Sequence, residues 1–298
     1  MATPWYRPAM PRRAMVFLVL AALIGAAALA QPAPDGTPAF GARGKPSRIV
    51  SLNLCLDQLV LLLADAERIA SVTWLAADPL SSVVAERARR VSRNRGFAEE
   101  ILPLRPDLVL AGEYTTPFTV QMLRRTGFNV DVLPMPANID GLREQVRVVG
   151  DLVRERERAD AMVADMDVRL AAAAAPPGAR APRTAVFQPG GFTAGPGSYE
   201  HELLRAAGLA NVASERGIRL YGYLSLEDLL VTRPDLIVSP GYAPGRPSIG
   251  EQVIAHPALR KAGFAQRVVE VPSNLWNCPG PMNAEAVAIL AQARDEVR

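Results

Sequence analysis

Histidine and cysteine are both scarce in this chain, two of each in 298 residues. Two histidines cannot build the multi-ligand shell that holds a bare zinc or manganese ion, so neither a free-metal site nor a resident cofactor is expected. The two cysteines, Cys55 and Cys278, exclude a disulfide-dense scaffold. They leave two alternatives open, one long-range bridge or two buried thiols packing as small apolar residues. Lysine is rare, no Lys/Arg block interleaved with aromatics occurs, and the net charge is only +3, which argues against a nucleic-acid surface. No Gly-x-Ser-x-Gly is present. Ser198 and His201 stand three residues apart beside a Gly-rich turn, a spacing too common to signal a nucleophile and its base, so no catalytic residue is expected.

What is present begins with a leader. Arg7, Arg12 and Arg13 precede an apolar run from Ala14 to Leu29 that closes on Ala28-Leu29-Ala30. Residues 1–30 therefore read as a secretory signal peptide cleaved after Ala30, followed by a flexible Pro/Gly/Ala-rich stretch over 31–46. With 49% apolar residues, the remainder can bury more than one core.

The strongest internal signal is a repeat. EEILPLRPDLVLAGEY at Glu99–Tyr114 returns as EDLLVTRPDLIVSPGY at Glu227–Tyr242, at a constant offset of 128 residues. Each copy reads as a short helix with acidic residues in its first turn, a break at Pro106 or Pro234, and a short apolar strand. Runs without alternation, Leu108–Ala111 and Leu236–Val238, suit parallel strands covered on both faces. Two copies imply two similar lobes, since a solenoid needs three or more units.

Around the repeats the pattern alternates strand and helix. Strands are expected at Arg48–Leu52, Ile69–Val72, Asn129–Leu133, Thr184–Gln188 and Arg267–Val271. Helices are expected at Asp57–Leu63, Val83–Arg90, Val120–Thr126, Glu200–Ala207, Ile249–Ile254 and Asn283–Val297. Gly190–Gly197 and Pro240–Ser248 read as loops. The span Ile139 to Ala175 carries apolar residues at helical spacing and predicts one uninterrupted connecting helix of roughly 50 Å. The expected organisation is an α/β lobe at 47–138, the helix at 139–175 and a second α/β lobe at 180–298, Rossmann-like, with a cleft between them.

An export leader, two α/β lobes joined by a helix, the Arg48-Ile-Val-Ser-Leu start and one Arg-Pro-Asp-Leu unit per lobe resemble the periplasmic substrate-binding proteins of ATP-driven importers for iron-siderophores, haem and cobalamin. The likeness covers about residues 46–298. It implies a non-enzymatic, periplasmic, monomeric receptor for a metal chelate, with an inner-membrane ABC permease as its partner. A partner-binding sensor of the same fold would lack the docking carboxylates. In the family a glutamate seven residues before the repeat proline docks each lobe on permease arginines, and these positions are Glu99 and Glu227 here. The resemblance places ligand contacts on loops at the carboxyl ends of strands: Asn53, Cys55, Trp74, Arg93, Arg95 and Tyr114 in the first lobe, and Phe192, Tyr221, Tyr223, Tyr242 and Trp276 in the second. Trp276, in a loop without periodicity, is the leading candidate. Arg93 and Arg95, where cobalamin binders tend to carry an aromatic, rank an anionic iron-siderophore first, cobalamin second and haem third, with tyrosines as potential iron ligands. A Cys55–Cys278 bridge, both ends falling on cleft loops, would restrict opening.

Overall fold

Short runs of buried Val, Ile and Leu form two parallel sheets in a computed structural model that describes residues 44–241, 256, 257, 261, 263 and 268–297. The leader, the segment 242–255 with its expected loop and helix, and the candidate Tyr242 lie outside the described residues. The first sheet has the order β3-β2-β1-β4-β5, from Arg93–Asn94, Ile69–Thr73, Ile49–Ser51, Leu108–Gly112 and Val130–Leu133. Its central strand is fully buried, with Ile49 opposite Ile69 on one side and Leu108 on the other. The second sheet has the order β11-β10-β6-β8, from Val268–Pro272, Leu236–Gly241, Arg183–Val186 and Ala210–Asn211. All pairings in both sheets are parallel, as strands sandwiched between helices require.

The repeat has a structural reason that its sequence does not display. In both copies the helix, Ala98–Ile101 (α3) or Leu226–Thr232 (α8), is followed by an arginine in the left-handed region, Arg105 and Arg233, each at φ 45°. The prolines that follow disfavour right-handed helix at these arginines, so the chain turns there. The next aspartate then staples the first strand of its own lobe. Asp107 accepts from the N–H groups of Ser47 and Arg48 at 2.8 and 2.9 Å, and its own N–H donates to the Arg48 carbonyl. Asp235 accepts from the Arg183 N–H at 2.9 Å, and its N–H donates to the Arg183 carbonyl. Arg48 and Arg183 reciprocate, donating to the carbonyls of Arg105 and Arg233.

The helical span after the first sheet differs from expectation. It is divided into Ile139–Val153 (α5) and Arg156–Ala173 (α6), with Arg154 left-handed at φ 59° between them. The two run back along each other: Arg143 pairs with Asp167, Arg147 with Asp160, and a Cβ added to Gly150 would stand 2.5 Å from the Ala159 Cβ. The break is held from outside, because Arg68 donates to the Val153 carbonyl and to Glu155, and Lys45 also pairs with Glu155. The stripe Leu142-Val146-Val149-Val153 belongs to one helix and Ala159-Val163-Met166 to the other. The segment leading into the second sheet is therefore α6, whose 18 residues span about 27 Å rather than 50.

The expected loop at Gly190–Gly197 also holds more order. Phe192–Ala194 (β7) pairs antiparallel with Tyr221–Tyr223 (β9) as a separate ribbon. Gly191, at φ 82°, lets two backbones touch, since a Cβ there would lie 2.3 Å from the Leu224 carbonyl oxygen. The polar helix expected at Val83–Arg90 shortens to Ala85–Ala88. One hydrophobic cluster runs through Ile49 and Leu108 of the first sheet, Val146 and Met166 of the hairpin, and Val238 and Val271 of the second sheet, so the lobes share a continuous apolar seam.

Candidate ligand cleft

The helix Leu54–Leu63 (α1) starts directly after the central strand, and Asn53 caps it, accepting from the N–H groups of Cys55 and Leu56 at 3.0 and 3.2 Å. Beside this cap is a small, open hollow lined by Asn53, Cys55, Gly112, Tyr114, Met135 and Pro279. Pro279 comes from the second lobe, so the hollow sits at the seam, outside the carboxyl ends of the strands.

The two cysteines meet here. Cys55 and Cys278 form a disulfide with their Cα atoms 5.2 Å apart, which settles the alternative left open by the sequence. Cys55 therefore contributes a half-buried disulfide sulfur to the wall rather than a thiol. The adjoining segment corrects the expectation for Trp276: it is 3% exposed and packed in the shared core, too buried to meet a ligand. Its loop lacks periodicity because it plugs the seam. Ser273 Oγ donates to the Leu80 carbonyl at 2.6 Å and Asn274 Nδ2 to that of Pro79 at 2.9 Å, both in the first lobe.

Aromatic rings stand in solvent on both sides. In the first lobe Trp74 is 55% and Tyr114 76% exposed. In the second, Phe192 stacks on Tyr221 with centroids 5.5 Å apart and meets the edge of Tyr223 at 5.8 Å, while Tyr223 stays 72% exposed. The pairing of β7 with β9 brings these three together. Tyr221 donates to Glu200 Oε2 at 3.4 Å. Burial, then the Glu200 charge, push the Tyr221 phenol up to about 12, with Tyr114 of the opposite lobe also contributing. Tyr221 thus keeps its proton and serves as the donor to Glu200. Burial likewise raises the Glu200 carboxyl.

Arg93 and Arg95 are exposed on and beside β3, the edge strand, away from the hollow at β1 and β4. Two exposed aromatics escaped the sequence reading, Phe97 at the cap of α3 and Phe118 at the start of the helix Pro117–Arg125 (α4); Thr119 Oγ1 ties that helix to the Gly96 carbonyl at 3.1 Å. Their signal was available, since neither falls on the apolar stripe of its helix. Glu200 gave no signal, because its contact is made across 21 residues.

Glu99 and Glu227 are exposed in the first turns of their helices. In each helix the residue after the glutamate makes the local hydrogen bond instead. Glu100 accepts from the Arg95 N–H at 2.7 Å, and Asp228 closes a capping box with Ser225. Ser198 is 2% exposed and serves as an N-cap, accepting from the His201 N–H, so it does not stand as a nucleophile. Among the described residues no group of three or more His, Cys, Asp or Glu is placed to hold a metal ion.

Two parallel α/β lobes with a hollow at their seam and exposed aromatics on each lobe have the architecture of a bilobed solute-binding protein. A model of the family described as periplasmic binding protein matches residues 49–275. A cobalamin-binding protein of Halobacterium salinarum is 30% identical over 260 residues, covering 84% of this chain and 69% of that protein. The chain belongs to the periplasmic binding protein family, whose members are solute-binding proteins. Its fold is shared with a periplasmic haem-binding protein of Roseiflexus sp. RS-1 in apo form (TM-score 0.67, 24% identity, 84% and 98% coverage). It is shared also with the periplasmic vitamin B12 binding protein of Vibrio cholerae (TM-score 0.64, 17% identity, 85% and 98% coverage).

Proposed function

We propose that the chain is the periplasmic receptor of an ATP-driven importer and that its cargo is a cobalamin-type corrinoid, captured without chemistry and handed to an inner-membrane permease. What supports the ligand class is the set of exposed aromatics, Trp74 and Tyr114 in the first lobe and Tyr221 and Tyr223 in the second, together with a hollow at the seam whose lining has no charged side chain other than Glu113. Such faces suit a large, amide-rich, near-planar macrocycle, held by stacking and by neutral phenol donors. This reverses the ranking drawn from Arg93 and Arg95, which lie at the sheet edge. Those arginines favour a second reading, an anionic ferric siderophore reaching toward β3. The leader supports export, and the lobe boundaries 47–138 and 180–298 fit the division of the two sheets.

Delivery rests on Glu99 and Glu227. Two solvent-facing carboxylates, with the local hydrogen bonds made by Glu100 and Asp228 instead, suit a two-point electrostatic dock that sets orientation and encounter rate. Titration of protein fluorescence with cyanocobalamin, haemin and ferric siderophores tests the ligand class. Submicromolar binding of cyanocobalamin, with at least tenfold weaker haemin binding, is expected. Preference for a ferric siderophore would install the second reading.

A further inference from the structure

We infer that the Cys55–Cys278 disulfide is a redox-sensitive brace that fixes the width of the cleft. Cys55 belongs to the first turn of α1, the helix that follows the central strand of the first sheet. Cys278 follows β11 of the second sheet and precedes the C-terminal helix Asn283–Glu296. The bond therefore ties lobe to lobe across a sequence separation of 223. It is the covalent member of a row of ties made by one short segment, with Ser273 on Leu80, Asn274 on Pro79 and the buried Trp276 between. Within the first lobe Gln58, one turn beyond Cys55, accepts from the Val83 N–H at 3.1 Å, so α1 and the segment that receives Ser273 are themselves joined. The interlobe row thus closes into a ring of contacts.

Access to the bond is one-sided. Cys278 is 2% exposed, whereas Cys55 is half-buried in the wall of the hollow, so a reagent reaches the Cys55 sulfur through the cleft. A dithiol supplies the two electrons and two protons needed. One of its thiolates attacks Cys55 Sγ, Cys278 departs as a thiolate and is protonated, and the second thiol of the reagent displaces Cys55. Two cysteine thiols and a cyclic disulfide result. Among the described residues the remaining ties of this segment to the first lobe are two neutral hydrogen bonds and apolar packing, which hold it but leave it free to open locally. This inference is independent of which ligand the cleft takes.

Hydrogen exchange followed by mass spectrometry tests it without any ligand. The oxidised protein is compared with the same protein reduced by dithiothreitol, thiols counted by mass, and with C55S/C278S. Exchange at least tenfold faster at 53–57, 80–83 and 273–280, with the strand 130–133 unchanged, is expected in both altered forms. Unchanged exchange in protein shown to carry two free thiols, or a change confined to 275–280, would overturn the brace.

Discussion

Asp57 is a carboxylate with no exposure, in the first turn of α1 beneath the cleft. Thr73 donates to one of its oxygens from both backbone and hydroxyl, and the other oxygen has no partner. Desolvation outweighs the hydrogen bonds from Thr73 and lifts its pKa from 3.8 to about 7. The folded state therefore holds a proton that the unfolded state has lost between those values. Stability linked to this group is full below pH 3.8 and is lost as pH rises through about 7. Asp57→Asn should accordingly stabilise the protein at pH 8 by on the order of 2–4 kcal/mol and change little at pH 4, in urea melts at both pH values. The tyrosines make the matching functional prediction. Tyr223→Ala should weaken corrinoid binding about tenfold, the loss of roughly 1–1.5 kcal/mol of stacking, without altering the melting curve.

At the scale of elements, the repeat was legible as helix, break and strand because acid, proline and apolar run are local signals. Its stapling role was not, since the partners of Asp107 and Asp235 lie about fifty or sixty residues upstream. Asp235→Ala should release the start of β6 and cost about 1–3 kcal/mol, read as a lower denaturation midpoint. The α5–α6 hairpin was illegible for a related reason. Helical periodicity continues through Arg154, and what turns the chain there is Arg68 and Lys45, far away in sequence. Gly150→Val would force apart helices that touch at Ala159, with a destabilisation of about 1–3 kcal/mol expected in the same melts. Trp276 shows the limit of loop reasoning. A large aromatic without periodicity fits a ligand contact or a plug equally well, and only the packing around Leu275 and Cys278 decides for the plug.

For the whole molecule, a hydrophobic cluster, a disulfide and, among the described residues, the hydrogen bonds of Ser273 and Asn274 join lobes that sequence suggested would be connected chiefly by a helix. Such a seam favours a preformed site over wide closure, and under the proposed function recognition by a permease would fall to fixed surface features such as Glu99 and Glu227. E99R/E227R should therefore bind ligand as the parent does yet fail to support uptake in cells, whereas unimpaired uptake would remove the dock. The most direct measurement for the account is calorimetric titration of the mature protein with cyanocobalamin. One site per chain with a submicromolar Kd is predicted. No heat with cyanocobalamin, haemin or any ferric siderophore, from protein shown to be folded, would contradict the assignment as a metal-chelate receptor.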